Sequence, residues 1–174
     1  MPNDRVNFFV SCAPGLEDVL ADECRRNHLI PIRKESRRKE TPGEETGGIL
    51  FEGTYAHVMR CNLHLRTASR VVVRLGEFYA TAFAELRKKA ARLEWEKYVF
   101  PGQRVNIQAV SHKSKLYHSD GVAERVLGAI ADHFAMTNQK PCVQDPTGQL
   151  VLVRIVNDAC TISIDSSGEL LHKR

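Results

Sequence analysis

The sequence has 174 residues and little of what covalent or redox chemistry needs. Its five cysteines are odd in number and none falls in a Cys-x-x-Cys pair. Cys12, Cys24, Cys61 and Cys160 sit in apolar-patterned segments, where a free thiol behaves as a small hydrophobe. Reduced cysteines and a reducing, cytoplasmic compartment are therefore expected, not a disulfide framework. Cys24 with His28 and Cys61 with His64 could each share a helix face. Zinc asks for three or four ligands, so no metal site is expected. No Gly-x-Gly-x-x-Gly and no Gly-x-x-x-x-Gly-Lys occurs; Gly43, Gly47 and Gly48 have the wrong spacing for a phosphate cradle. Asp145–Pro146 runs into Thr147–Gly148 and reads as a turn. No nucleophile-elbow spacing is present. No apolar run approaches the roughly 20 residues of a membrane helix. The opening MPNDRVNFFV lacks a basic stretch followed by an apolar core, so no signal peptide is expected.

What is present is a folding composition, 43% hydrophobic and 26% charged, long enough for one ordinary domain or two small ones. VNFFVSC, LIPIRKE, GILFEG and RVVVRLGEFYA have strand character. Between the first two strands, a helix is predicted to open at Pro14, with Glu17 and Asp18 in its first turn. Leu16, Val19, Leu20 and Cys24 are predicted to form its buried face. A polar Gly/Pro-rich loop, ESRRKETPGEETGG, precedes the third strand. Thr54 is a natural N-cap for a helix over TYAHVMRCNLHLRTA, with Tyr55, Val58, Met59, Asn62 and Leu63 on one face. The order βαββαβ is that of a ferredoxin-like fold.

The second half begins with a helix over TAFAELRKKAARLEW, striped by Phe83, Leu86, Ala90 and Leu93. A strand follows over 103–111, then a long helix capped by Ser119 or Asp120 with Val122, Val126, Ile130 and Phe134 buried. Two strands joined tightly at Asn157–Asp158 end this half, giving α–β–α–β–β. The fold class expected is α+β.

Net charge is +4, so the distribution of charge matters more than its sum. Arg33, Lys34, Arg37, Arg38 and Lys39 form one basic cluster; Arg87, Lys88, Lys89 and Arg92 form another. The third is SHKSKLYHSDGV (111–122), at a strand-to-helix junction. A helix N-terminus offers free N–H groups and a positive dipole end, which suits phosphate. Lys113 and Lys115, with Ser111, Ser114 and Ser119, would surround that end. Tyr117 and His118 add rings on which an unpaired base could stack. The alternative at this point is that Tyr117 packs on the sheet and the lysines merely meet water.

The stretches CAPGLEDVLADE (12–23), GGILFEGTYAHVMRCNLHLRTASRVVVRLGEF (47–78), SHKSKLYHSDGVAERV (111–126) and IDSSGELLHKR (164–174) carry a family resemblance. With them the chain resembles the N-terminal part of the THUMP-domain RNA methyltransferases, in particular the bacterial and archaeal guanine-N2 methyltransferases acting on ribosomal or transfer RNA. The resemblance implies a ferredoxin-like domain over 1–79, a THUMP domain over 80–166, and at 167–174 the start of a linker to a catalytic domain. It implies that these domains bind RNA, while S-adenosylmethionine belongs to the catalytic domain; this chain alone would bind no cofactor and have no methyltransferase activity. Lys113, Lys115 and His118 match the family's strand-to-helix segment and are assigned to RNA, joined on charge or ring character by Arg37, Arg38, Lys39, Lys88, Arg92 and Tyr117. Arg66 and Arg70, in LRTASR, match as well but read as structural. Two other readings stay open: a ferredoxin-like protein-interaction or regulatory module, and the THUMP module of a thiouridine or pseudouridine synthase.

Overall fold

RVNFFVSC forms β1 (Arg5–Cys12) in a computed structural model that describes residues 5–29, 32–33 and 47–173. Arg37, Arg38, Lys39 and most of the predicted polar loop lie outside these described residues. The chain folds as two units. One runs up to Arg74 and includes the segment from Asp165 onward; the other is Leu75–Ile164.

In the first unit, β1 is followed by α1 (Glu17–Arg26), β2 (Ile32–Arg33), β3 (Gly48–Thr54), α2 (Tyr55–His64) and the start of β4 (Ala68–Tyr79). The strands lie in the order β2-β3-β1-β4 and pair antiparallel, with Phe8 opposite Phe51 and Phe9 opposite Val72. This is the βαββαβ arrangement read from the sequence. Phe8, Val10, Val71, Leu20, Cys24, Val58 and Cys61 are among its buried side chains.

Local details depart from expectation. Helix α1 opens at Glu17, not Pro14. Ala13–Leu16 forms a turn, closed by the Leu16 N–H on the Ala13 carbonyl, with Gly15 at φ 89°. The Glu17 carboxylate reaches back to accept the N–H groups of Gly15 (2.8 Å) and Gly47 (3.0 Å). Leu16 and Val19 are exposed, so the buried face narrows to Leu20 and Cys24. In α2 the cap is Thr54 as predicted, and His57 takes the Glu position of a capping box, accepting the Thr54 N–H at 3.1 Å. The face turned inward is Val58, Cys61 and, just beyond the helix, Leu65; Met59 and Leu63 point to solvent.

The second unit takes the end of β4, then α3 (Phe83–Ala90), β5 (Arg104–His112), α4 (Ser119–Ala135), β6 (Val143–Gln144), β7 (Gln149–Val156) and β8 (Ala159–Asp165). Strands β8, β7, β5 and β6 are neighbours in that order. β7 and β8 pair antiparallel, whereas β5 runs parallel to β7, with Ile107 opposite Val151 and Ser111 opposite Ile155. Parallel neighbours need a crossover, and α4 supplies it. Val122, Val126, Ile130 and Phe134 are buried as its periodicity predicts.

Helix α3 is shorter than its apolar stripe suggests. It stops at Ala90, because Trp95 folds back into the core and donates its indole N–H to the Ala90 carbonyl at 2.8 Å. Leu93 lies against bare Gly76, where a Cβ would collide with Leu93 Cδ2. The β7–β8 hairpin turns at Asn157 and Asp158, both left-handed (φ 50° and 65°), as a two-residue hairpin requires.

Candidate nucleic-acid interface

Strand β5 delivers the chain to a short loop, residues 113–118, before α4. Lys113 takes φ 48°, a left-handed conformation that reverses the backbone directly after the strand. Leu116 enters the core at 3% exposure and pins the loop from below. Its neighbour Tyr117 is therefore forced outward and is 69% exposed. The sequence left Tyr117 open between sheet and solvent; Leu116 takes the inward position instead. Tyr117 and His118 stand side by side, ring centroids 4.1 Å apart and planes tilted 43°. His118, not Ser119 or Asp120, is the N-cap of α4, and it makes no side-chain capping bond. The first N–H groups of α4 thus gain no side-chain cap from that residue.

Lys113 and Lys115 are exposed, and neither ammonium has an ion-pair partner among the described residues. The loop backbone, by contrast, is well tied. The Ser114 hydroxyl donates to the His112 carbonyl (2.9 Å) and accepts the Asp158 N–H (3.1 Å). The Lys115 N–H donates to Asp158 Oδ1 (2.8 Å), and the Asn157 N–H to the His112 carbonyl (3.2 Å). Two free cations and two exposed rings are thus presented by a fixed backbone. The contiguous charges of the loop are legible in the sequence, whereas the hold that Asn157 and Asp158 have on its backbone is not, because the sequence marks those two only as a turn.

The second basic cluster does not join the first. Lys88 and Arg92 line a groove of about 670 Å³ between α3 and α4, with Arg87, Ala84, Ala91, Asp132, His133 and Met136. Asp132 lies 13 residues into α4 from Ser119, so the groove is about 20 Å along the helix from the lysine loop. Arg87 is occupied: its Nε and Nη2 hold Asp132 at 2.6 and 2.7 Å. Those bonds keep the Asp132 carboxyl below the usual carboxylate range. His133 is also engaged, with Glu96 at 2.8 Å and the Ala91 carbonyl at 3.1 Å. Lys88 and Arg92 are the cations left without an ion-pair partner there among the described residues.

Of the two arginines read as structural, Arg70 has side-chain bonds that fit the reading. Arg70 bonds buried Asp165 (2.9 Å) and the Gly168 carbonyl (2.7 Å). The backbone N–H of Arg66 donates to Glu23. All five thiols are free and buried, which disfavours the thiolate that a nucleophile needs. Burial pushes Cys24 to about 11 and both Cys61 and Cys160 to about 12, so none is a thiolate near neutrality. Among the described residues no group of three or more His, Cys, Asp or Glu could hold a metal ion, and no helix is long and apolar enough to cross a membrane.

Comparison with known proteins gives these features a lineage. Residues 7–72 match the RlmL ferredoxin-like domain and residues 80–165 the THUMP domain. The chain is 29% identical over 171 residues to the ribosomal RNA large subunit methyltransferase K/L of Syntrophotalea carbinolica, covering 97% of this chain and 23% of that protein. It is 29% identical over 180 residues to the enzyme of the same name from Methylococcus capsulatus, covering 22% of it. The chain thus spans under a quarter of these curated relatives. A solved structure from Listeria monocytogenes, named as a predicted N6-adenine-specific DNA methylase, superposes with a TM-score of 0.79 at 29% identity, covering 98% of this chain and 42% of that one. A ferredoxin-like domain of the RlmL type followed directly by a THUMP domain places this chain in the family of RlmL-type RNA methyltransferases, of which this pair of domains is the N-terminal portion.

Proposed function

We propose that this chain is the RNA-recognition part of an S-adenosylmethionine-dependent guanine-N2 methyltransferase acting on ribosomal or transfer RNA. The observation that carries the reading is the pinned loop with two unpaired lysines, Lys113 and Lys115, beside the exposed Tyr117–His118 ring pair. The lysines neutralise backbone phosphates near the N-terminus of α4, and the rings receive an unstacked base. Lys88 and Arg92 serve a more distant stretch of the same RNA. Among the described residues, the groove between α3 and α4 has one carboxylate, Asp132, and Arg87 Nε and Nη2 already hold it. Methyl transfer we assign to other parts of the parent protein.

The test is titration of an RNA stem-loop with a single-stranded 3′ tail at several salt concentrations. Each phosphate contact to a single strand contributes about 0.7 to the slope of log affinity against log salt. Lys113→Ala with Lys115→Ala is expected to weaken binding and reduce the slope by about 1.4. Unchanged affinity and slope would sink the reading.

A further inference from the structure

We infer that Asp158, at the tip of the β7–β8 hairpin, is the positioning residue of the RNA-binding loop. The inference rests on the reading of Lys113 and Lys115 as phosphate ligands. An acidic side chain beside two phosphate-binding lysines is electrostatically the wrong sign: in the free protein it favours the lysines, but towards RNA it repels the ligand. Its geometry gives the reason for its presence.

All three hydrogen-bonding parts of Asp158 are used. Its carboxylate accepts the Lys115 N–H at 2.8 Å. Its own N–H donates to the Ser114 hydroxyl at 3.1 Å, and that hydroxyl donates in turn to the His112 carbonyl. Its carbonyl accepts the Ala80 N–H at 2.9 Å, fixing the chain between β4 and α3 to the same point. The residue adopts φ 65°, so the hairpin turn itself aims the carboxylate at the loop. Asn157 adds the bond from its N–H to the His112 carbonyl. The lysine loop is thus moulded on a turn 43 residues later in the chain. Held this way, Lys113 and Lys115 have fixed Cα positions and only their side chains remain to be ordered by the ligand, which lowers the entropic cost of binding.

Charge and geometry make opposite forecasts for one substitution. Asp158→Gly keeps the left-handed backbone without strain while removing both the acceptor and the negative charge. If Asp158 acts only through charge, RNA binds the variant more tightly. If it positions the loop, binding weakens. The experiment titrates the same tailed RNA stem-loop against the full chain carrying Asp158→Gly, Asp158→Asn, Ser114→Ala or the double lysine substitution, with thermal midpoints alongside. Expected results are a roughly fivefold loss for Asp158→Gly, the scale of re-ordering about one freed backbone residue on binding, and a similar loss for Ser114→Ala. Asp158→Asn, whose amide oxygen still accepts the Lys115 N–H, should bind at least as well as wild type. Amide exchange at Lys115 should accelerate in Asp158→Gly and not in Asp158→Asn. Should Asp158→Gly fail to fold, Ser114→Ala and the exchange rate in wild type decide. Tighter or unchanged binding by Asp158→Gly, with the lysine variant impaired, overturns this inference alone. An unimpaired lysine variant overturns the RNA reading and this inference with it.

Discussion

At Gly128 a missing side chain decides a contact. A Cβ there would lie 3.0 Å from Arg87 Cζ and 3.2 Å from its Nε and Nη1, so the guanidinium crosses α4 only because the helix surface is bare. Gly128→Ala sets two effects against each other. Alanine favours a helix interior over glycine by about 1 kcal/mol. Displacing Arg87 disturbs a pair whose side chains are 43% and 46% exposed, and such pairs are worth about 0–1 kcal/mol. Stability should therefore change by less than about 1 kcal/mol, while the Asp132 carboxyl, now held low by Arg87, rises toward its ordinary range. Carbon-detected NMR titration of Asp132 checks this; an unmoved titration would mean that Arg87 adjusts without losing its bonds. Nothing local in the sequence marks Gly128 for this role, since Arg87 is 41 positions away. Glu23 hides in the same way. On α1, it accepts the Arg66 N–H (2.8 Å), the Thr67 N–H (3.0 Å) and the Thr67 hydroxyl (2.5 Å). This gives the LRTASR stretch a backbone explanation that its arginines had obscured.

Among the elements, the clearest local signals were the ones that survived. Thr54 caps α2, the α4 periodicity selects its buried face, and the Asn157–Asp158 turn joins β7 to β8, each set by neighbours a few residues apart. The faces of α1 and α2 were less legible. Leu16, Val19, Met59 and Leu63 are apolar at helical spacing yet exposed, because only packing decides which part of a wide stripe turns inward. The end of α3 departs from its apolar stripe for a related reason: the period runs on through Leu93, but burying Trp95 requires the chain to leave the helix first. The cap of α2 is testable by itself. Thr54→Ala removes the hydroxyl and should cost about 1 kcal/mol, seen as a lower denaturation midpoint with an unchanged m-value. A loss below about 0.3 kcal/mol would show that the His57 ring alone sustains the helix start, since it still accepts the residue-54 N–H.

Across the whole molecule, the order of strands and helices could be read because each is written in local periodicity, and the lysine loop because its charges are contiguous. The service that Asp158 gives the loop could not, being a contact between distant residues. Ionisation also has to be summed over the molecule. Burial pushes the Glu23 carboxyl up, but the Thr67 hydroxyl and the Thr67 and Arg66 N–H groups outweigh it and leave it below the ordinary range. Asp132 is lowered by Arg87, Glu17 by its own backbone N–H and then that of Gly47, Glu85 by Lys89 and Asp145 by Thr147. Asp165 goes the other way: burial raises it, against the Ser167 and Gly168 N–H groups and Arg70. A lowered carboxyl binds fewer protons folded than unfolded, so its stabilisation is present above the ordinary value near 4 and is lost as pH falls through the folded value. Asp165 has the opposite sign, contributing at low pH and losing that contribution as pH rises through its raised value. Among the described residues, five lowered carboxyls against one raised give a net loss on acidification, so the thermal midpoint should fall between about pH 5 and pH 3. Glu23→Gln should flatten that fall, because its group no longer titrates, and should lower the midpoint at pH 7 by weakening three hydrogen bonds to a charged acceptor. A midpoint that rises on acidification would mean that the protonation of Asp165 outweighs the other five groups together.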